Sequence, residues 1–221
     1  MTSLILKDIY LQKKSFLFAL GYSLFVLIVF QNEIFSETSY IMGAMATAYM
    51  LVLGACAYEE KNNSEVILNS LPLKRADIVR ARYLSSFVSV FLAFVIIGVL
   101  GALMKGVGLP IPLRYVRISD VIAVIVSLSL LCSLYFPVYF RYGYIKSRFF
   151  NLILFLLVFF APSTGLSYLR EDGKKEVLNQ VIDKLAGVPD WQISVGLGIA
   201  AWILTAISMR ISVCIYLKRE F

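Results

Sequence analysis

Six stretches of this chain run charge-free for close to the length a bilayer demands: Ser15–Asn32, Thr38–Tyr58, Tyr83–Met104, Val121–Phe140, Phe149–Leu169 and Trp191–Met209. A hydrocarbon layer about 30 Å thick, crossed by a helix rising about 1.5 Å per residue, needs ~20 such residues. The expected fold is therefore an all-α membrane protein, residues 1–221 forming one transmembrane domain of six helices. Composition agrees: 60% of the 221 residues are hydrophobic and 16% charged, more apolar surface than one soluble core can hide. A cytosolic enzyme is excluded. The first stretch is followed by Gln31-Asn32-Glu33 rather than a small-residue cleavage site, so it reads as a retained span and not a signal peptide.

Basic residues orient the spans. Lys7, Lys13 and Lys14 precede the first; Lys61, Lys74, Arg75, Arg80 and Arg82 follow the second. Arg141, Lys146 and Arg148 follow the fourth, and Arg210, Lys218 and Arg219 end the chain, so fourteen of the 21 basic residues lie on one side. The positive-inside rule makes that side cytoplasmic, with both termini inside. The formal charge of +7 is then a topology signal, and no nucleic-acid partner is expected because no folded basic domain is available.

The segments between spans differ in character. Thr2–Lys14 mixes Leu4, Ile5, Ile9 and Tyr10 with Lys7, Asp8 and Lys13, and reads as a short helix lying on the inner leaflet against membrane lipid. Beyond the fifth span, Val177, Leu178, Val181, Ile182 and Leu185 share one face, an amphipathic helix on the outer side. Pro137 is expected to kink the fourth span near its inner end. In the fifth span only 13 uncharged residues precede Pro162, about 20 Å of helix, too short to cross. Pro162, Ser163, Thr164 and Gly165 are therefore expected to form a break that shapes the outer end of a pathway, because irregular backbone at that depth must line a cavity or be buried in protein. An ordinary proline kink is the plainer alternative. Gly43 and Thr47 have the spacing of a close helix contact.

Several chemistries are absent from the sequence. There is no histidine, and Cys56, Cys132 and Cys214 form no CxxC pair, so neither a metal site nor a disulfide framework is indicated. Glu59-Glu60 lacks the histidines of a membrane metalloprotease. Ser85, Ser86 and Ser89 lack a base, and no GxSxG occurs. The spans hold no Asp, Glu, Lys or Arg to bind a coupling ion near the midplane. No GxxxxGK[ST] loop is present to cradle ATP. A chain so built is not expected to be an enzyme; it moves cargo only if a partner supplies the energy.

One segment stands apart. In Glu59–Arg75, a short helix over Ser64–Asn69 is expected to stop before Pro72, since the residue preceding proline disfavours helix. Val66, Ile67, Leu68 and Leu71 are apolar within an otherwise polar loop. They would be satisfied against the bilayer or in a groove on another protein. The pattern Glu59-x-Lys61-Asn62-x-x-Glu65-x-x-Leu68-x-Ser70-Leu71-Pro72-x-x-Arg75-x-x-Ile78-Val79-x-Ala81-Arg82-Tyr83 resembles the segment after the second helix in ABC-2 type permeases. Within that group it most resembles the six-helix branch exporting phenol-soluble modulins and antimicrobial peptides. The resemblance implies the membrane subunit of an ATP-driven exporter in a bacterial cell membrane, paired with a second copy or a homologous permease. It implies a separate ABC ATPase subunit that carries ATP and Mg. It also implies coupling helices that meet this ATPase through Glu59, Glu60, Glu65, Leu68, Ser70, Leu71 and Pro72, and through Tyr142, Gly143 and Ile145 after the fourth span. Export of lipids or hydrophobic drugs is the alternative cargo, and a non-transport scaffold or sensor the alternative class.

Overall fold

The computed structural model describes residues 2–11, 13–29, 39–106, 117–154 and 190–219. All regular structure among them is helical. A lead-in helix α1 (Thr2–Leu11) precedes α2 (Lys13–Val29) and α3 (Ser39–Lys61). The short α4 (Ser64–Ser70) leads to α5 (Arg75–Gly106) and α6 (Ile118–Tyr142). Helical residues 144–154 form α7, and α8 (Asp190–Leu217) follows.

Among the described residues, four helices are long and apolar enough to cross a membrane: Ile41–Lys61, Arg75–Met104, Ile118–Tyr142 and Ser194–Leu217. They correspond to the second, third, fourth and sixth expected spans. The first is described as α2 as far as Val29, with a shorter apolar run at Phe16–Phe25. The fifth expected span is described only as far as 154. Pro162, Ser163, Thr164 and Gly165, and the amphipathic stretch Lys174–Leu185, lie outside the described residues.

The third span begins earlier than its charges implied. Arg75–Arg82, read as loop, is the first two turns of α5. The reason is local: after Pro72 nothing breaks the helix, the Lys74 carbonyl accepts from the Asp77 amide at 2.8 Å, and Asp77 sits in the first turn, where the helix dipole favours a carboxylate. α8 likewise runs eight residues beyond Met209, leaving Arg210 exposed on its flank. At the far end of α6 the Arg117 amide donates to Asp120 Oδ2 at 2.9 Å, which caps the helix start.

α6 packs most extensively on α8; α3 packs against α5, α2 and α6, and α5 closes against α8. Where α2 meets α3, Ser23 Oγ lies 2.8 Å from Thr47 Oγ1, and Ala19 of α2 clusters with Leu51 of α3, while Ala44 and Ala48 are further small buried residues of α3. Gly43 is buried on the same helix. Small side chains let two backbones approach, and in lipid that dispersion contact substitutes for a hydrophobic driving force. On α6, Tyr135, Phe136, Tyr139 and Phe140 form an aromatic ladder that meets Tyr83 of α5 edge-on (4.7 Å between centroids) and Tyr216 of α8 (5.4 Å). The outward faces remain greasy: Phe18, Phe91, Leu134 and Trp202 are exposed, as lipid contact requires. The molecule is a multi-pass membrane protein.

Candidate functional site

The end of the bundle that carries most of the basic residues gathers α1, the last turns of α3, α6 and α8, and the first turns of α5 and α7. The last turn of α3 carries a residue pair, Glu59-Glu60, whose carboxylates face different partners. Consecutive helical residues differ by about 100° in direction, so neighbours in sequence serve different neighbours in space.

Glu59 turns inward. It is 6% exposed, accepts from Lys7 Nζ at 2.7 Å and from the Tyr139 hydroxyl at 3.0 Å, and pairs with the Arg82 guanidinium. Asp8, also buried, lies 3.0 Å from Arg82 Nη1 and 3.7 Å from Lys7 Nζ. Two cations and two anions thus balance inside the protein. The Asp8 contact is an ion pair without hydrogen-bond geometry, since Arg82 Nη1 is buried with no acceptor in its donor direction. A cavity of about 20 Å³ lies beside the cluster, room for one water. Burial holds the Lys7 ammonium below the usual lysine value, Arg82 pushes the same way, and Asp8 opposes both. α1 is accordingly a helix, as its pattern implied, but it does not simply rest on the leaflet. Leu4 and Asp8 are buried against the bundle, while Leu6 and Tyr10 stay exposed.

Glu60 turns the other way, to the start of α7. Its carboxylate accepts from the Tyr144 amide and from the Ile145 amide, the latter at 3.2 Å, two of the N–H groups that a helix start leaves unpaired. Gly143 makes this approach possible. Its φ of +79° suits glycine, and a Cβ there would stand 3.1 Å from Glu60 Oε2.

Between Glu60 and α4 the chain reverses at Asn63, in the left-handed region (φ 48°), where asparagine is tolerated. The Asn63 amide donates to the Glu60 carbonyl, and the Asn63 carbonyl accepts from Val66 to begin α4. α4 ends at Ser70, one residue beyond expectation, and Leu71 is extended ahead of Pro72. Its apolar residues divide in two. Leu68 is 5% exposed and anchors α4 to the core; Val66 and Ile67 are more than 60% exposed, and Leu71 is nearly half exposed.

Of the residues assigned by resemblance, Glu59 and Leu68 are buried within this chain; Glu59 is drawn in by Arg82 and Lys7, Leu68 by the amphipathic phase of α4. Gly143 is buried as well, serving the backbone, and Glu60 is engaged with α7. The outward residues are Val66, Ile67, Ser70, Leu71 and Pro72 on one segment and Tyr142 and Ile145 on the other. Glu65 lies on α4.

Arginines finish the helices that end here. Arg75 donates to the carbonyls of Leu217 (3.3 Å) and Arg219 (3.0 Å), and Arg219 donates to the carbonyl of Phe140 (3.2 Å). Each places a cation at the negative end of a helix dipole. At Tyr83, next to Arg82 on α5, the chemistry changes to hydroxyls. Pro137 cannot donate to the Ser133 carbonyl, and Ser208 of α8 does so instead at 2.6 Å. The Tyr83 hydroxyl then sits 2.7 Å from Ser208 Oγ and 2.9 Å from Ser212 Oγ, joining α5, α6 and α8. α6 continues as a helix through Pro137.

Lys7, Asp8, Arg82 and Tyr139 are not among the residues that the sequence assigns to a site. A signal for Arg82 was present: it falls in the stripe Ile78, Val79, Arg82, Ser86, Ser89, Val90, every member buried. On the opposite side, Tyr22, Tyr49, Met50, Leu53, Arg148 and Asn151 line a groove of about 590 Å³ between α2, α3 and α7, crossed by a Tyr49–Asn151 hydrogen bond. Among the described residues, no three His, Cys, Asp or Glu side chains form a group that could hold a metal.

No curated protein and no solved structure matches the chain. The family model described as ABC-2 family transporter protein matches residues 3–217, a stretch that runs from α1 to the last residue of α8. The chain belongs to the ABC-2 transporter family.

Proposed function

We propose that this chain is the permease subunit of an ATP-driven exporter, and that the exposed ridge Val66, Ile67 and Leu71, with Ser70 and Pro72 beside it and Tyr142 and Ile145 across from it, receives the ABC ATPase. The observation that carries the reading is the split of α4: one apolar residue anchors it and the remaining ones are presented outward at the basic end. An apolar ridge among charges suits a groove on a soluble protein. The basic end is then cytoplasmic, with both termini inside. ATP and Mg belong to the ATPase, since this chain has no phosphate-cradling loop. Two permeases, identical or homologous, complete the assembly in a bacterial cell membrane, each contributing one six-span domain.

The cargo is an amphipathic peptide of the toxin or antimicrobial class. The groove between α2, α3 and α7 supports this: it is largely apolar, with Arg148 and a few polar side chains at its wall. Pro162, Ser163, Thr164 and Gly165 shape the outer end of the path. A lipid or hydrophobic drug would suit the same greasy lining, so the test compares them.

The experiment is purification in mild detergent from native membranes. A Walker-containing ATPase is expected to accompany the parent chain and to be lost from Val66→Asp/Ile67→Asp, whose melting temperature stays unchanged. Within that complex, an amphipathic helical peptide is expected to raise ATP hydrolysis more than phospholipid does, and cysteines at Ser163 and Thr164 to label from outside. Retention of the ATPase by the double variant overturns the docking ridge. A parent chain that purifies without any ATPase favours the scaffold.

A further inference from the structure

We propose that Glu60 is a positioning residue that makes the two ATPase-facing segments move as one body, so that α7 is carried with α4; the inference rests on the permease reading above. Three observations converge on it. The Glu60 carboxylate holds the first amides of α7, at Tyr144 and Ile145. The Glu60 carbonyl holds the Asn63 amide in the turn that opens α4. Gly143 leaves just enough space, since a Cβ there would meet Oε2 at 3.1 Å.

One residue therefore grips both segments, through its side chain on one and its backbone on the other. A carboxylate at a helix start is bonded by oriented N–H groups and favoured by the dipole, so the joint resists rotation as well as separation. Glu59 ties the same turn of α3 to α1, α5 and α6 through Arg82, Lys7 and Tyr139. A push on the α4 ridge reaches α7 through Glu60. The groove wall that α7 supplies, at Arg148 and Asn151, then moves with the ATPase contact.

The test places spin labels at Leu73, just past α4, and at Ile153 on α7, both exposed, with the exposed Cys214 replaced by serine. Distances are read with and without ATP plus vanadate in the purified complex with its ATPase. In the parent the label distance is expected to be narrow and unchanged by trapping. Glu60→Gln keeps an acceptor oxygen and is expected to behave as the parent. Glu60→Ala and Gly143→Ala release the joint: the distance broadens and shifts on trapping, while the ATPase still co-purifies. A parent distance that shifts with nucleotide, or a Glu60→Ala distance identical to the parent's, overturns the proposal. If no ATPase accompanies the parent, the permease reading fails; the joint is still judged from the permease alone by the width difference between parent and Glu60→Ala.

Discussion

Arg82 and Tyr83 are neighbours on α5, and the two regions they serve solve the same problem in different ways. Arg82 enters a cluster of two cations and two anions at the basic end; Tyr83 enters a seam of neutral hydroxyls that ties α5 to α6 and α8. Both bury polar groups where water is scarce. In the charged cluster each member depends on the others, because an ion left without its counterion bears its whole desolvation cost. The seam is graded: each hydroxyl bond is worth a modest amount, and the displaced partner often finds another. The first arrangement is brittle and specific, the second tolerant. The brittle one lies where α1, α3, α5 and α6 must be held in register next to the proposed ATPase contact.

The largest effect that would sharpen this contrast is removal of one charge. Arg82→Met leaves Asp8 and Glu59 buried with Lys7 alone and is expected to destabilise the protein by about 3–5 kcal/mol, read as a large fall in melting temperature in detergent. Neutralising the whole cluster, with Lys7→Met, Asp8→Asn, Glu59→Gln and Arg82→Met together, is expected to recover most of that loss. If the single and quadruple variants melt alike, the cluster is not an interdependent unit and the contrast fails.

The seam is expected to respond less, and in a way its proline controls. Ser208→Ala strips the Ser133 carbonyl of the donor that replaces the proline's missing N–H, a loss of about 1–2 kcal/mol. Pro137→Ala restores an N–H on α6 itself, so in that background Ser208→Ala is expected to cost clearly less. A double-mutant cycle measures the difference, expected near 1 kcal/mol. Additive single effects would mean that Ser208 does not compensate Pro137.

How much of this was legible beforehand follows from the range of each interaction. Span positions are local sums of hydropathy, so four membrane-length helices fall where charge-free stretches stood. The α4 helix was legible because Pro72 and the Ser64–Asn69 pattern act within a few residues. The limits of α5 were not. Charge was treated as a loop marker, whereas Arg75–Arg82 is helical and Arg82 finds carboxylates 23 and 74 residues away in Glu59 and Asp8. The resemblance placed Glu59, Glu60 and Leu68 together in one coupling region, yet no linear motif says which way each side chain turns. That is decided by helical phase against partners distant in sequence. The Pro137–Ser208 bond was invisible for the same reason, although the need for a substitute donor followed from the proline alone.

The smallest effect tests whether Lys7 belongs to the cluster energetically or only sits at its edge. Its side chain is 27% exposed, and burial beside Arg82 holds its pKa below the usual lysine value. The unfolded chain therefore binds that proton more tightly than the folded one. By linkage, stability is expected to rise with pH across the interval just below 10.5, where the unfolded state still carries the proton and the folded state has begun to lose it. Melting temperatures taken through that interval should climb for the parent and for Tyr83→Phe, whose change lies in the seam, and the climb should flatten in Lys7→Met. A parent and a Lys7→Met variant with the same slope would place Lys7 outside the cluster's energetic unit. The buried core would then be Asp8, Glu59 and Arg82 alone, a net negative group that α1 closes with one residue instead of two.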